Sequence, residues 1–131
     1  MRRTLMPVVL FALAFISTAG DADAAQNDST ALVKRGERVW QKKECAVCHG
    51  INHSGGGPAL EGITQRRSRE WLYKWLNNSK EMARTDSTAK ALVEVYHAVM
   101  PNRHLSRKDV DAVLAFIEHR EVKLREEASG Q

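Results

Sequence analysis

Apolar residues recur along this chain at helical spacing, and no stretch shows the strict alternation of a half-buried strand. The first such segment starts at Thr30, where Leu32, Val33, Val39 and Trp40 share a face with Gly36. Ala25 to Ser29, small and polar, are expected to form a frayed lead. A glycine inside a helix costs about 1 kcal/mol relative to alanine, so Gly36 is expected where another helix comes close. From Gly50 to Pro58 the periodicity stops. Gly50, Gly55, Gly56, Gly57 and Pro58 mark a loop, and Pro58, Ala59 and Leu60 continue it as extended chain. Ser68 is suited to cap a helix, with Glu70 in the first turn. Its stripe is Trp71, Leu72, Trp75 and Leu76, and Asn77, Asn78 and Ser79 are expected to end it. Asp86, Ser87 or Thr88 caps the next helix, whose stripe is Leu92, Val95, Tyr96 and Val99. That helix is expected to stop near Met100, because Pro101 disfavours helical geometry in the residue before it. Ser106 to Asp109 forms a capping box with Asp in place of Glu. The helix it opens carries Val110, Val113, Leu114 and Ile117, with Phe116 beside them. It runs on through Glu118 to Glu127, where Glu121 and Arg125 make an i,i+4 pair, and frays from Ala128. The pattern predicts an all-α domain of four to five helices, loop-rich on one side.

The N-terminus has a different character. Arg2 and Arg3 precede an apolar run from Leu5 to Ile16, broken only by Pro7, and Ala22-Asp23-Ala24 fits a small-x-small cleavage site. Residues 1–24 are therefore expected to be a secretory signal peptide and 25–131 the domain. The run is too short to span a bilayer, and no other could, so no transmembrane anchor is expected after cleavage. The cut removes two arginines and two aspartates, leaving the formal charge at +4. This mild excess includes no basic run that would mark a nucleic-acid partner. The glycine cluster is not a phosphate loop, since no strand precedes it and no Lys-Ser/Thr follows it. About a hundred residues bury only a modest core.

The chemistry is concentrated at Cys45-Ala46-Val47-Cys48-His49. This is C-x-x-C-H, the attachment pattern of a c-type haem. Two thiols at fixed spacing reach the two vinyl groups of one porphyrin, and the adjacent His projects an imidazole toward the iron. Both cysteines of the chain are used. A thioredoxin-like dithiol would need a βαβ context. A zinc site would have to crowd Cys45, Cys48, His49 and His53. A disulfide across two residues would close a tiny loop and stabilise little. Export fits haem best, because c-type haem is attached outside the cytoplasm and an oxidising compartment disfavours a free dithiol. The covalent porphyrin would also supply apolar core that the chain lacks. The sixth iron position is open to Met82, Met100, His53, His97, His104 or His119. Met100 is preferred, because Pro101 can hold a turn that aims its thioether inward; His97 is the rival. Arg66 and Arg67 are candidates to meet the propionates.

In order along the chain, Gly36 with Trp40, Cys45 to Gly50, Gly57-Pro58-Ala59-Leu60, Met100-Pro101-Asn102 and Leu114 to Ile117 resemble a mono-haem class I cytochrome c. The resemblance implies the cytochrome c fold around one covalent haem c, with Cys45 and Cys48 as thioether links, and His49 and Met100 on the iron. It implies that the Pro58 carbonyl accepts from the other nitrogen of His49, and that Gly36 and Trp40 cross the last helix near Phe116, where the family more often has Tyr. The stretch from Trp71 to Met82 is similar to cytochrome c domains fused to oxidase subunits. The implied function is one-electron transfer in the periplasm between redox partner proteins, not catalysis. The alternatives are a haem subunit bound permanently to a dehydrogenase or reductase and, behind it, an open-site haem enzyme or gas sensor. Lys42, Lys43 and Arg103 are expected near the haem rim, where they would steer an acidic partner.

Overall fold

The structure, a computed structural model, describes residues 20–130. It is all-α: α1 (Gly20–Lys42), a single 3₁₀ turn (Cys45–Val47), α2 (Ile63–Arg66), α3 (Arg69–Thr85), α4 (Ser87–Tyr96) and α5 (Arg107–Ser129). Among the described residues the β pairing is one isolated bridge, His49 to Ser54. Residues 1–19 of the expected signal peptide lie outside the described residues, and the expected cleavage point after Ala24 falls within α1. The lead expected to fray over Ala25 to Ser29 is helical. The hydroxyls of Ser29 and Thr30 each donate to the Gln26 carbonyl at 2.9 Å. No Gly or Pro interrupts α1 between Asp21 and Gly36, so nothing local ends it earlier.

The frame is the crossing of α1 and α5. Gly36 is buried at the crossing; a Cβ there would run into the Ala112 carbonyl and come within 2.7 Å of Phe116 Cβ. Trp40 packs on Phe116 with ring centroids 5.7 Å apart. The core joins Leu72 of α3, Leu105, and Val110, Val113, Leu114 and Ile117 of α5. Three expected caps form: Ser68 accepts from Trp71 N–H at 3.2 Å, Asp86 from Ala89 N–H at 2.9 Å, and Ser106 from Asp109 N–H at 3.1 Å. Asp86 also accepts from the Trp71 indole at 3.2 Å, which ties the start of α4 to α3.

Three elements depart from the sequence pattern. The helix from Ser68 does not end at Asn77; it breaks at Asn78 (φ −140°, ψ 38°) and resumes to Thr85. The restart buries Ser79 and Met82. The next helix stops at Tyr96 rather than near Met100. His97 adopts a left-handed conformation (φ 51°) and donates its N–H to Val93 at 2.8 Å. Pro101 is therefore not what ends α4, and Val95 and Val99 are exposed rather than part of a stripe. Finally, Glu121 is only 5% exposed. One carboxylate oxygen accepts from Gly62 N–H at 2.8 Å and the other lies 3.9 Å from Arg125, so the expected surface pair is also a buried tie from α5 to the start of α2.

Two expectations follow. Gly36→Ala gains helix propensity but overpacks against rigid backbone, so it should destabilise by about 1–3 kcal/mol, read as a lower denaturant midpoint. A midpoint equal to wild type would mean that the helices do not cross this closely. The second concerns acid. The Ala89 N–H, with the Trp71 indole, holds the Asp86 carboxyl below its ordinary value. The Ser106 hydroxyl, with Arg35, does the same for Asp109. A carboxyl lowered by folding stabilises fully above its unfolded value of about 3.9 and loses that contribution as pH falls through the folded value. Asp109→Asn should flatten the fall in stability below about pH 4; an unchanged acid slope in denaturant titrations would contradict the capping role.

Candidate functional site

The site begins where α1 runs out. Glu44 takes a left-handed conformation (φ 52°) and turns the chain into the 3₁₀ turn. His49 N–H then closes on the Cys45 carbonyl at 3.0 Å, which sets Cys45, Cys48 and His49 around one short coil. The glycine loop folds back along that coil. Gly57 N–H donates to the Cys48 carbonyl at 2.9 Å and Leu60 N–H to Gly50 at 3.1 Å. His49 Nδ1 lies 2.9 Å from the Pro58 carbonyl. A carbonyl can only accept, so Nδ1 carries a proton, and in the neutral ring that leaves the lone pair on Nε2. The loop passes so close to the imidazole that a Cβ on Gly57 would sit 2.6 Å from His49 Cε1. Glycine is needed there for proximity, not for its dihedral freedom.

Met100 and Pro101 line the same cleft as this coil. Trp71 and Trp75 of α3, Leu92 of α4, and Val113, Leu114 and Ile117 of α5 line it too. The two tryptophans stack with centroids 5.6 Å apart. Polar groups are confined largely to Arg66, Arg67 and Arg103. Arg66 donates to the carbonyls of Glu61 and, at 3.3 Å, Ala59; Arg67 lies 5.5 Å over the Trp71 ring. Burial pushes the Cys45 thiol above its ordinary value, against the pull of Arg103 and Lys43. That favours the protonated thiol, whereas a redox or metal-binding cysteine works as the thiolate.

Of the residues singled out in the sequence, Cys45, Cys48, His49, Pro58 and Met100 all line this cleft. Met82, His53, His97, His104 and His119 do not. Met82 is buried elsewhere, His97 is an exposed helix cap, and the His53 ring lies against Gly50. Among the described residues no three His, Cys, Asp or Glu side chains gather as a metal site. Lys43 and Arg103 do converge, in an unexpected way: the Lys43 ammonium donates to the Arg103 carbonyl at 2.8 Å. In the sequence Glu121 reads as half of a surface pair and Ser79 as part of a helix end, yet both are buried supports. Glu121 continues the Val110-Val113-Leu114-Ile117 spacing and so falls on the buried face of α5, whereas Ser79 lies beyond the break at Asn78, where helical spacing no longer predicts its face.

An apolar cleft lined by two thiols, an imidazole held through one nitrogen, and a thioether fits a porphyrin bound through its edge and its metal. The Cytochrome c family model matches residues 33–121. Comparison with curated proteins gives no significant match. Among solved structures, a cytochrome c from Rhodothermus marinus is similar, with a TM-score of 0.64 and 25% identity over 90% of this chain and 91% of that one. An engineered form of the Rhodothermus marinus protein is also similar, with a TM-score of 0.60 and 26% identity over 89% of this chain and 91% of that one, in a structure bound to a carbene intermediate. Among the described residues no helix is long and apolar enough to cross a membrane. This chain belongs to the cytochrome c family, whose members transfer electrons on haem.

Proposed function

We propose that this chain is an exported, periplasmic one-electron carrier with one haem c joined to Cys45 and Cys48 by thioether bonds. His49 Nε2 and the Met100 thioether would be the residues that ligate the iron. The observation that carries this reading is the fixed His49 ring: Nδ1 is committed to Pro58 and Nε2 is left for a metal. Bound haem supplies an iron that cycles between ferric and ferrous states. The chain's own residues do the rest. Pro58 holds the imidazole tautomer and orientation. The tryptophan and aliphatic walls exclude water, which keeps rearrangement on electron transfer small. A Met100 thioether bound to that iron would raise its potential and close it to other ligands. Arg66, Arg67 and Arg103 offer charge to the propionates at the margin. Arg2, Arg3 and the apolar run from Leu5 to Ile16 support export, with cleavage after Ala24.

The exposed Val47, beside Cys48, and Val99, beside Met100, favour a second reading in which this rim is buried against a dehydrogenase or reductase. Size-exclusion of native extracts separates the two: a free carrier elutes alone, a subunit elutes with its enzyme.

The ferric visible spectrum of the purified holoprotein should show the weak red thioether-to-iron band. Met100→Ala should abolish it and admit cyanide. If His97→Ala did so instead, the ligand assignment would be wrong. Steering by the rim is best tested at Lys42, since Lys43 is engaged with Arg103. Lys42→Glu should slow reduction of an acidic partner several-fold at low salt. The difference should fade at physiological salt, where the Debye length is about 8 Å. Equal rates at low salt would make Lys42 ordinary surface.

A further inference from the structure

The break in α3 has a partner. Once Asn78 leaves helical geometry, the groups on either side of it need bonds from outside the helix. The segment carrying Met100 provides them. Leu76 accepts from Arg103 N–H at 2.6 Å, and the Asn77 side-chain oxygen accepts from Leu105 N–H at 2.6 Å. The Asn102 side-chain oxygen accepts from Lys80 N–H at 3.3 Å. Ser79, with no exposed surface, shares its single hydroxyl proton between the Met100 carbonyl and the Asn102 side chain, the latter at 2.9 Å.

These bonds hold the main chain on both sides of Pro101. Pro101 contributes a fixed φ but no N–H, so it has no main-chain donor to offer α3. The Met100 carbonyl belongs to the residue that bears the thioether, and its partner, the Ser79 hydroxyl, directly follows the break in α3. An unbroken helix would keep Leu76 and Lys80 bonded to each other and present a continuous surface to this segment.

We infer that the break at Asn78 is a clamp, with Ser79 and Asn102 as positioning residues that hold the Met100 thioether over the iron. This rests on Met100 being the distal ligand. Ser79 touches neither the iron nor the porphyrin; it acts through the Met100 backbone. The clamp predicts an effect on the iron's sixth position that general loss of stability does not produce.

The test is imidazole binding to the ferric holoprotein, followed by loss of the thioether-to-iron band, alongside thermal melting. Losing one hydrogen bond that favours the closed site should tighten apparent imidazole affinity by roughly three- to tenfold in Ser79→Ala. Asn102→Ala, at a partly exposed position, should move it the same way and carries the test if Ser79→Ala fails to fold. Val110→Ala is the control: it lies in the core, away from the cleft, and should lower the melting temperature while leaving imidazole affinity at the wild-type value. A wild-type band with unchanged affinity in the folded clamp variants would overturn the clamp while leaving Met100 as ligand. Equal tightening in Val110→Ala would also overturn it, as an effect of stability alone. A wild-type protein lacking the band would remove Met100 as ligand and the clamp with it.

Discussion

The close crossing of α1 over α5 sets both sides of the cleft. Gly36 lets the two backbones meet at Ala112, and everything chemical follows from where that meeting points the chain. One turn further, Trp40 locks against Phe116, and α1 then ends and delivers Cys45, Cys48 and His49. On the other helix, Val113, Leu114 and Ile117, which follow Ala112, line the cleft. A small domain has few ways to hold a loop-borne motif against an apolar floor. Here one glycine achieves it by bringing two long helices into contact.

The loops on this frame are held by single polar ties. Pro58 fixes His49. Glu121 reaches from α5 to Gly62, and Arg66 gathers the carbonyls of Ala59 and Glu61, so the Pro58 segment is braced at its far end. Lys43 and the break in α3 brace the Met100 segment. Apart from the exposed Arg66, each tie is a buried or half-buried polar group with a defined partner, and such groups cost more when broken than they contribute when made. The cleft is thus apolar inside and polar at its supports, an arrangement that suits a site where an iron changes charge without the protein moving.

Much of this was legible in the sequence, because it is local. Helix caps at Ser68, Asp86 and Ser106 depend on the next three residues. The C-x-x-C-H spacing carries its own geometry, and a glycine on an apolar helical face announces a close neighbour. What stayed hidden depends on distant partners. The helix after Ser68 survives its break because the Met100 segment bonds to both sides of Asn78. The end of α4 is set by the conformation of His97, which no periodicity displays. α2 spans only Ile63–Arg66, too short for any apolar pattern. Glu121 looked like half of a surface pair because charge normally marks the solvated face; its burial depends on a backbone N–H contributed by Gly62, far away in sequence.

The central claim is that Cys45 and Cys48 hold one haem covalently in this cleft. Intact-mass measurement of the purified protein, under denaturing conditions that strip any non-covalent ligand, tests it most directly. The account predicts a single species: the chain from Ala25 plus the mass of one haem. A chain without added mass, or one lighter only by the hydrogens of a Cys45–Cys48 disulfide, would contradict it.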